Sequence, residues 1–289
     1  MKSLQGKAVI VISSHVVRGT VGNRAAVFAL ETLGFNVWAL PTVVLPWHTG
    51  HGPATRIVPP ADKFAALTAE LAGAPWIGEV GAVLSGYLGE AAQAEAVAAL
   101  VASVKRRNSE VIYVCDPVIG DRDGLYVPEA TAVAIRDRLM PLADIATPNR
   151  YELEWLSGRS LHGVNEIVDT ARAMGPATML VTSAPGVAAD GIGNLLVQGG
   201  SALLAEHRVV EDAPSGVGDL TAAMFLARRL AGDAPADALR STTASVYEVL
   251  SGALARGSNE LQLETDAQSL HRPRAAVTLR DLSIAATAH

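Results

Sequence analysis

The sequence is poor in residues on which several kinds of chemistry depend. Of its 289 residues one, Cys115, is a cysteine, so it forms no internal disulfide and no thiolate metal site. Aromatic residues make up 4%, and basic residues gather only in short groups such as Arg106-Arg107 and Arg228-Arg229. With 29 acidic against 23 basic residues the net charge is −6. That balance argues against nucleic acid or an anionic membrane as the main partner. No apolar run approaches the ~20 residues of a membrane span. The amino-terminal segment reads as a strand and not as a signal peptide, so the expectation is a soluble cytoplasmic protein.

Familiar signatures are missing too. There is no Gly-x-x-x-x-Gly-Lys-Ser/Thr, which excludes a P-loop enzyme, and no Gly-x-Gly-x-x-Gly, which weakens dinucleotide-binding and protein-kinase readings. A Gly-x-Ser-x-Gly nucleophile elbow and a His-Glu-x-x-His helix are also absent. His48 and His51 lie in loop-like sequence with no third ligand nearby, which disfavours a zinc site.

What is present is an alternation. Short β-branched runs at 8–12, 36–40, 82–84, 111–115, 144–147 and 178–182 alternate with helical patterns at 22–33, 61–71 and 90–107. Such a series predicts parallel pairing with right-handed crossovers, and one α/β domain of this size is ordinary. Residues 193–197 and 202–209, joined through Gly199 and Gly200, read as a closing hairpin, and a long helix spans 235–255. Between 41 and 60 five prolines and repeated glycines predict loss of regular structure and an arm or flap over a pocket. The reading is a single domain over 1–274 and a tail over 275–289 without an interpretable motif.

The richest stretch is Pro214-Ser215-Gly216-Val217-Gly218-Asp219, followed by apolar residues at Leu220, Ala223, Met224, Ala227 and Leu230. A glycine-rich turn thus delivers the chain into a helix with one buried face. The first amides of that helix, at Gly216, Val217 and Gly218, lack intrahelical partners and carry the positive end of the dipole, which suits an anion such as phosphate. Asp219 stands in the first turn, where that end favours the carboxylate. From a reference pKa of about 3.9 it is expected to be ionised at neutral pH and able to accept a proton from a hydroxyl.

Polar residues also gather where other strands end. Asp116 follows 111–115, Thr147 and Glu152 follow 144–147, and Thr182 closes 178–182. Ligands of open parallel sheets bind outside those carboxyl ends. Asp116 and Glu152 offer oxygen ligands of the kind Mg²⁺ takes, partly through water.

These residues resemble the pyridoxal kinases of the ribokinase-like superfamily, over nearly the whole chain from about Ala8 to Pro273. The matching segments are Ser14-His15-Val16-Val17, Gly22-Asn23, Asn36-Val37-Trp38, His48-Thr49-Gly50, Leu84-Ser85-Gly86-Tyr87, Cys115-Asp116-Pro117-Val118, Pro148-Asn149 with Glu152-Leu153-Glu154, and Gly216-Val217-Gly218-Asp219. The resemblance implies an α/β three-layer sandwich, a central, mainly parallel sheet between helices, usually in a homodimer. It implies ATP-dependent phosphorylation of the hydroxymethyl group of pyridoxal, with Mg²⁺ and a monovalent cation such as K⁺ as candidate ions. By position Asp219 is the base and Gly216, Val217 and Gly218 form the anion hole. Asp116, Thr147, Glu152 and Thr182 surround ATP and its metal, while Asp121 and Tyr126 border the phosphates. Ser14, Thr49 and Tyr87 hold the pyridine ring, and Val44 adds apolar surface. Two other readings stay open: a hydroxymethylpyrimidine or sugar kinase of the same superfamily, and a catalytically silent vitamin B6-binding protein.

Overall fold

A computed structural model describes residues 7–283. Among these, nine strands form one sheet: β1 (Ala8–Arg18), β2 (Asn36–Trp47), β3 (Val80–Ser85), β4 (Ile112–Cys115), β7 (Ile145–Ala146), β8 (Thr178–Pro185), β9 (Gly191–Gln198), β10 (Ser201–Arg208) and β11 (Thr278–Asp281). Two further short strands, β5 (Gly120–Asp121) and β6 (Gly124–Leu125), make a separate hairpin. The sheet order is β11-β10-β9-β8-β7-β4-β3-β1-β2. The run from β2 to β8 is parallel, and β9, β10 and β11 continue it antiparallel.

Both faces of the sheet are buried, which is why its strands read as unbroken apolar runs. Ile10 and Ile12 point to one face, and Val9 and Val11 to the other, each into a different core. The first core is covered by α2 (Ala61–Gly73), α3 (Ala92–Arg107), α4 (Glu129–Ala134), α5 (Arg150–Ser157) and α6 (Val164–Ala173), through residues such as Phe64, Leu100, Leu153 and Ile167. The second is covered by α1 (Asn23–Thr32), α7 (Val217–Ala231), α8 (Pro235–Ala255) and the short α9 (Ala267–His271), through Leu30, Phe225 and Val249. The result is the three-layer sandwich expected.

Three segments differ from the sequence reading. β1 does not stop at Ile12 but runs to Arg18, and β2 does not stop at Leu40 but runs through Pro41 and Pro46 to Trp47. The prolines are tolerated because β2 is an edge strand whose one ladder is with β1, its outer side carrying a single bridge from Val44 to Ile57, so a missing N–H at Pro41 or Pro46 need not break a ladder there. The extension holds its register by burying Val16, Val43 and Leu45 in a satellite core. Thr278–Asp281, in the stretch read as a motif-free tail, forms the opposite edge by pairing with β10; residues 284–289 lie outside the described residues.

From β1 the chain moves to β2 on one side and then to β3 on the other. The carboxyl ends of β1 and β3 therefore flank the point where strand order reverses, the place where open α/β sheets take ligands.

Candidate active site

Gly216 caps α7 with a left-handed backbone (φ 96°), and a Cβ there would lie 1.9 Å from the Thr20 carbonyl oxygen. Only glycine meets both demands. Gly218 differs, because a Cβ built on it meets no protein atom within 4 Å. The chain itself leaves that space, beside the first amides of the helix, open. Asp219 is the third helical residue, and a Cβ built on Gly86, just past β3, would lie 3.8 Å from its Oδ1. The Ser13 hydroxyl in turn accepts the Tyr87 N–H at 3.1 Å. Helix start, β1 and β3 thus meet at one crevice. Ser14 is buried there, with its carbonyl and hydroxyl packed against Gly22.

The acidic residues line the neighbouring strand ends. Thr147 Oγ1 donates to Asp116 Oδ1 at 2.9 Å. Glu152 Oε1 accepts from the amides of Ile119 at 2.8 Å and Gly120 at 3.4 Å, and its Oε2 accepts from the amide of Asn149 at 2.8 Å. The last of these is half of a capping box that starts α5, the other half being the Glu152 amide donating to Asn149 Oδ1 at 2.9 Å. The loop that brings Ile119 to Glu152 passes through Val118 at φ 46°, a conformation that costs a β-branched residue strain and that sites over-determined by their surroundings retain. Asn149 Nδ2 donates to the Gly120 carbonyl at 2.8 Å, so one asparagine holds both the helix start and the β5–β6 hairpin.

Three carboxylates share this crevice, and among the described residues none has a lysine or arginine partner. Burial, followed by the charges of Glu152 and Asp219, raises the Asp116 carboxyl well above the usual carboxylate range. Burial raises Glu152 to about 7 against the pull of its three amide donors. Asp219 rises to about 6, again through burial, while its own N–H and that of Gly22 favour the charged form. The sequence reading put the helix end in charge and expected an ordinary acidity; desolvation wins instead. At pH 7 the carboxylate still outnumbers its acid by roughly ten to one. Tyr126 borders the same acids, its phenol raised by desolvation and then by Glu152, Asp116, Asp219 and Asp121.

A hard divalent cation suits these groups. A buried excess of negative charge needs an offset, and among the described residues one Asp116 oxygen has no hydrogen-bond donor. Among the described residues no three acidic, histidine or cysteine side chains form a ready cage. That is the habit of Mg²⁺, which keeps several waters and relies on substrate phosphates.

The pyridine-ring candidates are less closely drawn together. Tyr87 is fixed by its amide bond to Ser13, by Thr42 Oγ1 donating to its carbonyl at 2.7 Å, and by Arg56 Nη2 donating to its hydroxyl at 3.0 Å. Val44 is half-buried on β2 and bridges Ile57 of the arm through two main-chain hydrogen bonds. Thr49 stands exposed on the turn Thr49–His51, and Asp121 is exposed on β5. Thr182 sits where β8 passes Asn149, its amide donating to the Pro148 carbonyl at 2.9 Å. Sequence reasoning missed Ser13, Arg56 and Glu260. Asn149-x-x-Glu152, a capping-box pattern, was the available signal for the role of Asn149.

Comparisons with known proteins bear on the family of the whole chain. A family model described as phosphomethylpyrimidine kinase matches residues 78–264. The pyridoxal kinase PdxY of Pseudomonas paraeruginosa is 39% identical over 277 residues, covering 92% of this chain and 95% of that protein. The enzyme of the same name from Rubrobacter xylanophilus is 37% identical and covers 93% and 95%. Among solved structures, pyridoxal kinase from Leishmania donovani in complex with ADP and pyridoxamine superposes with a TM-score of 0.89 at 26% identity, over 96% of this chain and 99% of that one. A matching family model and relatives aligned along nearly their full length lead to one assignment: the chain belongs to the pyridoxal kinase family.

Proposed function

We propose that this protein phosphorylates the 5′-hydroxymethyl group of pyridoxal, with pyridoxine and pyridoxamine as further candidate substrates, using ATP. The observation that carries the reading is the convergence of Asp219, the glycine-rich helix start and the Asp116 and Glu152 carboxylates on the switch point between β1 and β3. The names of the relatives and the ADP and pyridoxamine bound by the Leishmania enzyme support it.

In this reading Asp219 accepts the proton of the substrate hydroxyl as its oxygen attacks the γ-phosphorus of ATP and the bond to the ADP oxygen breaks. The amides of Gly216, Val217 and Gly218 face the charge that develops on the transferring group; one such donor is typically worth about 3 kcal/mol. Asp116 and Glu152 are the residues that would hold Mg²⁺, and the ion would supply charge neutralisation of the phosphates. Thr147 orients Asp116 through its hydroxyl, while Thr182, Asp121 and Tyr126 border the nucleotide. Ser14 and Tyr87 hold the pyridine ring beside the base, with Thr49 and Val44 contributing from the arm side. A monovalent cation such as K⁺ belongs to the same proposal, with a K⁺ titration of activity as its test.

A homodimer fits the edge of β2, where Leu67 and Trp76 beside Trp38 and Leu40 leave apolar surface exposed. The domain is read as one unit, because both cores extend along the same sheet. A cytoplasmic location is part of the proposal and suits a chain with a single buried thiol. No helix of the described residues is long and apolar enough to cross a membrane.

ADP release measured with Mg-ATP against pyridoxal, pyridoxine, pyridoxamine, hydroxymethylpyrimidine and ribose tests the assignment. Turnover of the B6 vitamers is expected. Turnover of hydroxymethylpyrimidine or ribose alone would reassign the substrate.

A further inference from the structure

The turn at residues 18–22, between β1 and α1, touches both parts of the site. The Thr20 carbonyl backs directly onto Gly216, and the Gly22 N–H faces the Asp219 carboxylate. What holds this turn is Glu260, from the loop after α8. Its Oε2 accepts the Thr20 amide at 3.2 Å, and its Oε1 accepts from Arg18 Nη1 at 3.3 Å. Gly19 makes room for it: φ is 109°, and a Cβ there would fall 2.7 Å from Oε1. Beside it the Thr20 hydroxyl donates to the Leu261 carbonyl at 2.8 Å. The same Oε1 lies 2.8 Å from His51 Nε2, on the arm that carries Thr49.

Glu260 is nearly buried, yet none of its three partners, Arg18, Thr20 and His51, belongs to a sheet core or a helix interior. A buried carboxylate needs its partners, and here those partners are the two loops that enclose the crevice. We propose that Glu260 is a positioning residue for phosphoryl transfer, fixing the 18–22 turn against the Gly216–Asp219 cradle and tying the arm to that turn through His51. The inference rests on the kinase reading for its chemistry and on the ligand-free geometry for its substance.

The test uses the full chain as Glu260→Ala, Glu260→Gln and His51→Ala, with amide exchange followed by NMR without ligands and steady-state kinetics alongside. Glu260→Ala is expected to speed exchange at Thr20 and Gly22 about tenfold while core strand amides keep their protection. It is expected to lower kcat roughly 100-fold through misplacement of the cradle, with KM for ATP within about twofold. Glu260→Gln, which keeps the bulk and loses the charge, should move the same amides and kcat in the same direction by less. His51→Ala should speed exchange only at 48–57 and raise KM for pyridoxal with little change in kcat. Unchanged exchange at Thr20 and Gly22 in both Glu260 variants would overturn the proposal. So would an equal loss of protection throughout the sheet, since that marks a residue serving overall stability alone. If the wild-type chain fails to phosphorylate pyridoxal, the kinase reading fails while the exchange data still decide whether Glu260 holds the turn.

Discussion

The floor of the crevice and the arm over it are built in different ways. On the floor each carboxylate comes from an element anchored in a core, and main-chain amides or a buried hydroxyl hold it: Glu152 by three amides, Asp116 by Thr147, Asp219 on a helix whose Leu220, Ala223 and Met224 are fully buried. The arm beyond Trp47 exposes Thr49, Arg56 and Ile57, and its contacts with the rest of the protein include His51 on Glu260, Arg56 on Tyr87 and Gly89, one bridge to Val44, and Ala54 and Val58 packed on the small satellite core. The carboxylates sit on packed elements, while the arm proposed to cover the substrate is held by a few separable contacts and a small satellite core.

The sharpest break of that contrast is at Asp219. Asp219→Ala is expected to lower kcat by about 100- to 10,000-fold while isothermal titration still detects ATP binding. Asp219→Asn should be as inactive yet more stable at pH 7. A group whose folded pKa is raised from 3.8 to about 6 contributes stability below pH 3.8 and loses it as pH rises through 6, so at pH 7 the charged form is a cost. Discounted for its partial exposure, removing that charge is worth about 1–2 kcal/mol and a Tm rise of several degrees. A lower Tm for the asparagine variant would mean that the crevice does not desolvate this residue.

Next come the two glycines. Gly216→Ala strains the backbone and drives a methyl group into Thr20, so both Tm and kcat should fall. Gly218→Ala meets nothing in the protein, so Tm should hold while kcat falls about 10- to 100-fold, because the methyl group occupies the space meant for the anion. Equal behaviour of the two variants would show that the open space at Gly218 has no functional meaning.

The pH profile is a milder probe. With Glu152 at about 7 and Asp219 at about 6, kcat/KM should decline as pH falls below 7, by about tenfold per unit between 7 and 6 and by up to about a hundredfold per unit below 6, where both carboxylates take up a proton. A flat profile down to pH 5 would place the base elsewhere. The smallest effect belongs to the arm: Arg56→Ala frees the Tyr87 hydroxyl and should raise KM for pyridoxal about two- to fivefold, leaving KM for ATP unchanged.

Much of the floor was legible before any coordinates. Gly216-Val217-Gly218-Asp219 announces a helix start by local rules, and the buried strands announce themselves by unbroken apolar runs, so both could be found at short range. The extension of β2 was not legible, because two prolines argue against a strand unless the strand is known to lie at an edge. Glu260 was invisible for another reason: its partners Arg18, Thr20 and His51 lie more than two hundred residues away in sequence, and nothing local marks the contact.

What the chain determined by itself is the set of elements and the type of chemistry. Periodicity, glycine placement and strand-end polarity are properties of neighbouring residues, and they depend on short-range sterics and unpaired amides. What only the tertiary structure decided is the acidity of the site and the fastening of the arm. Desolvation of Asp116, Glu152 and Asp219 arises when separate strand ends are packed into one crevice, and it outweighs the helix-end field that local reasoning places first.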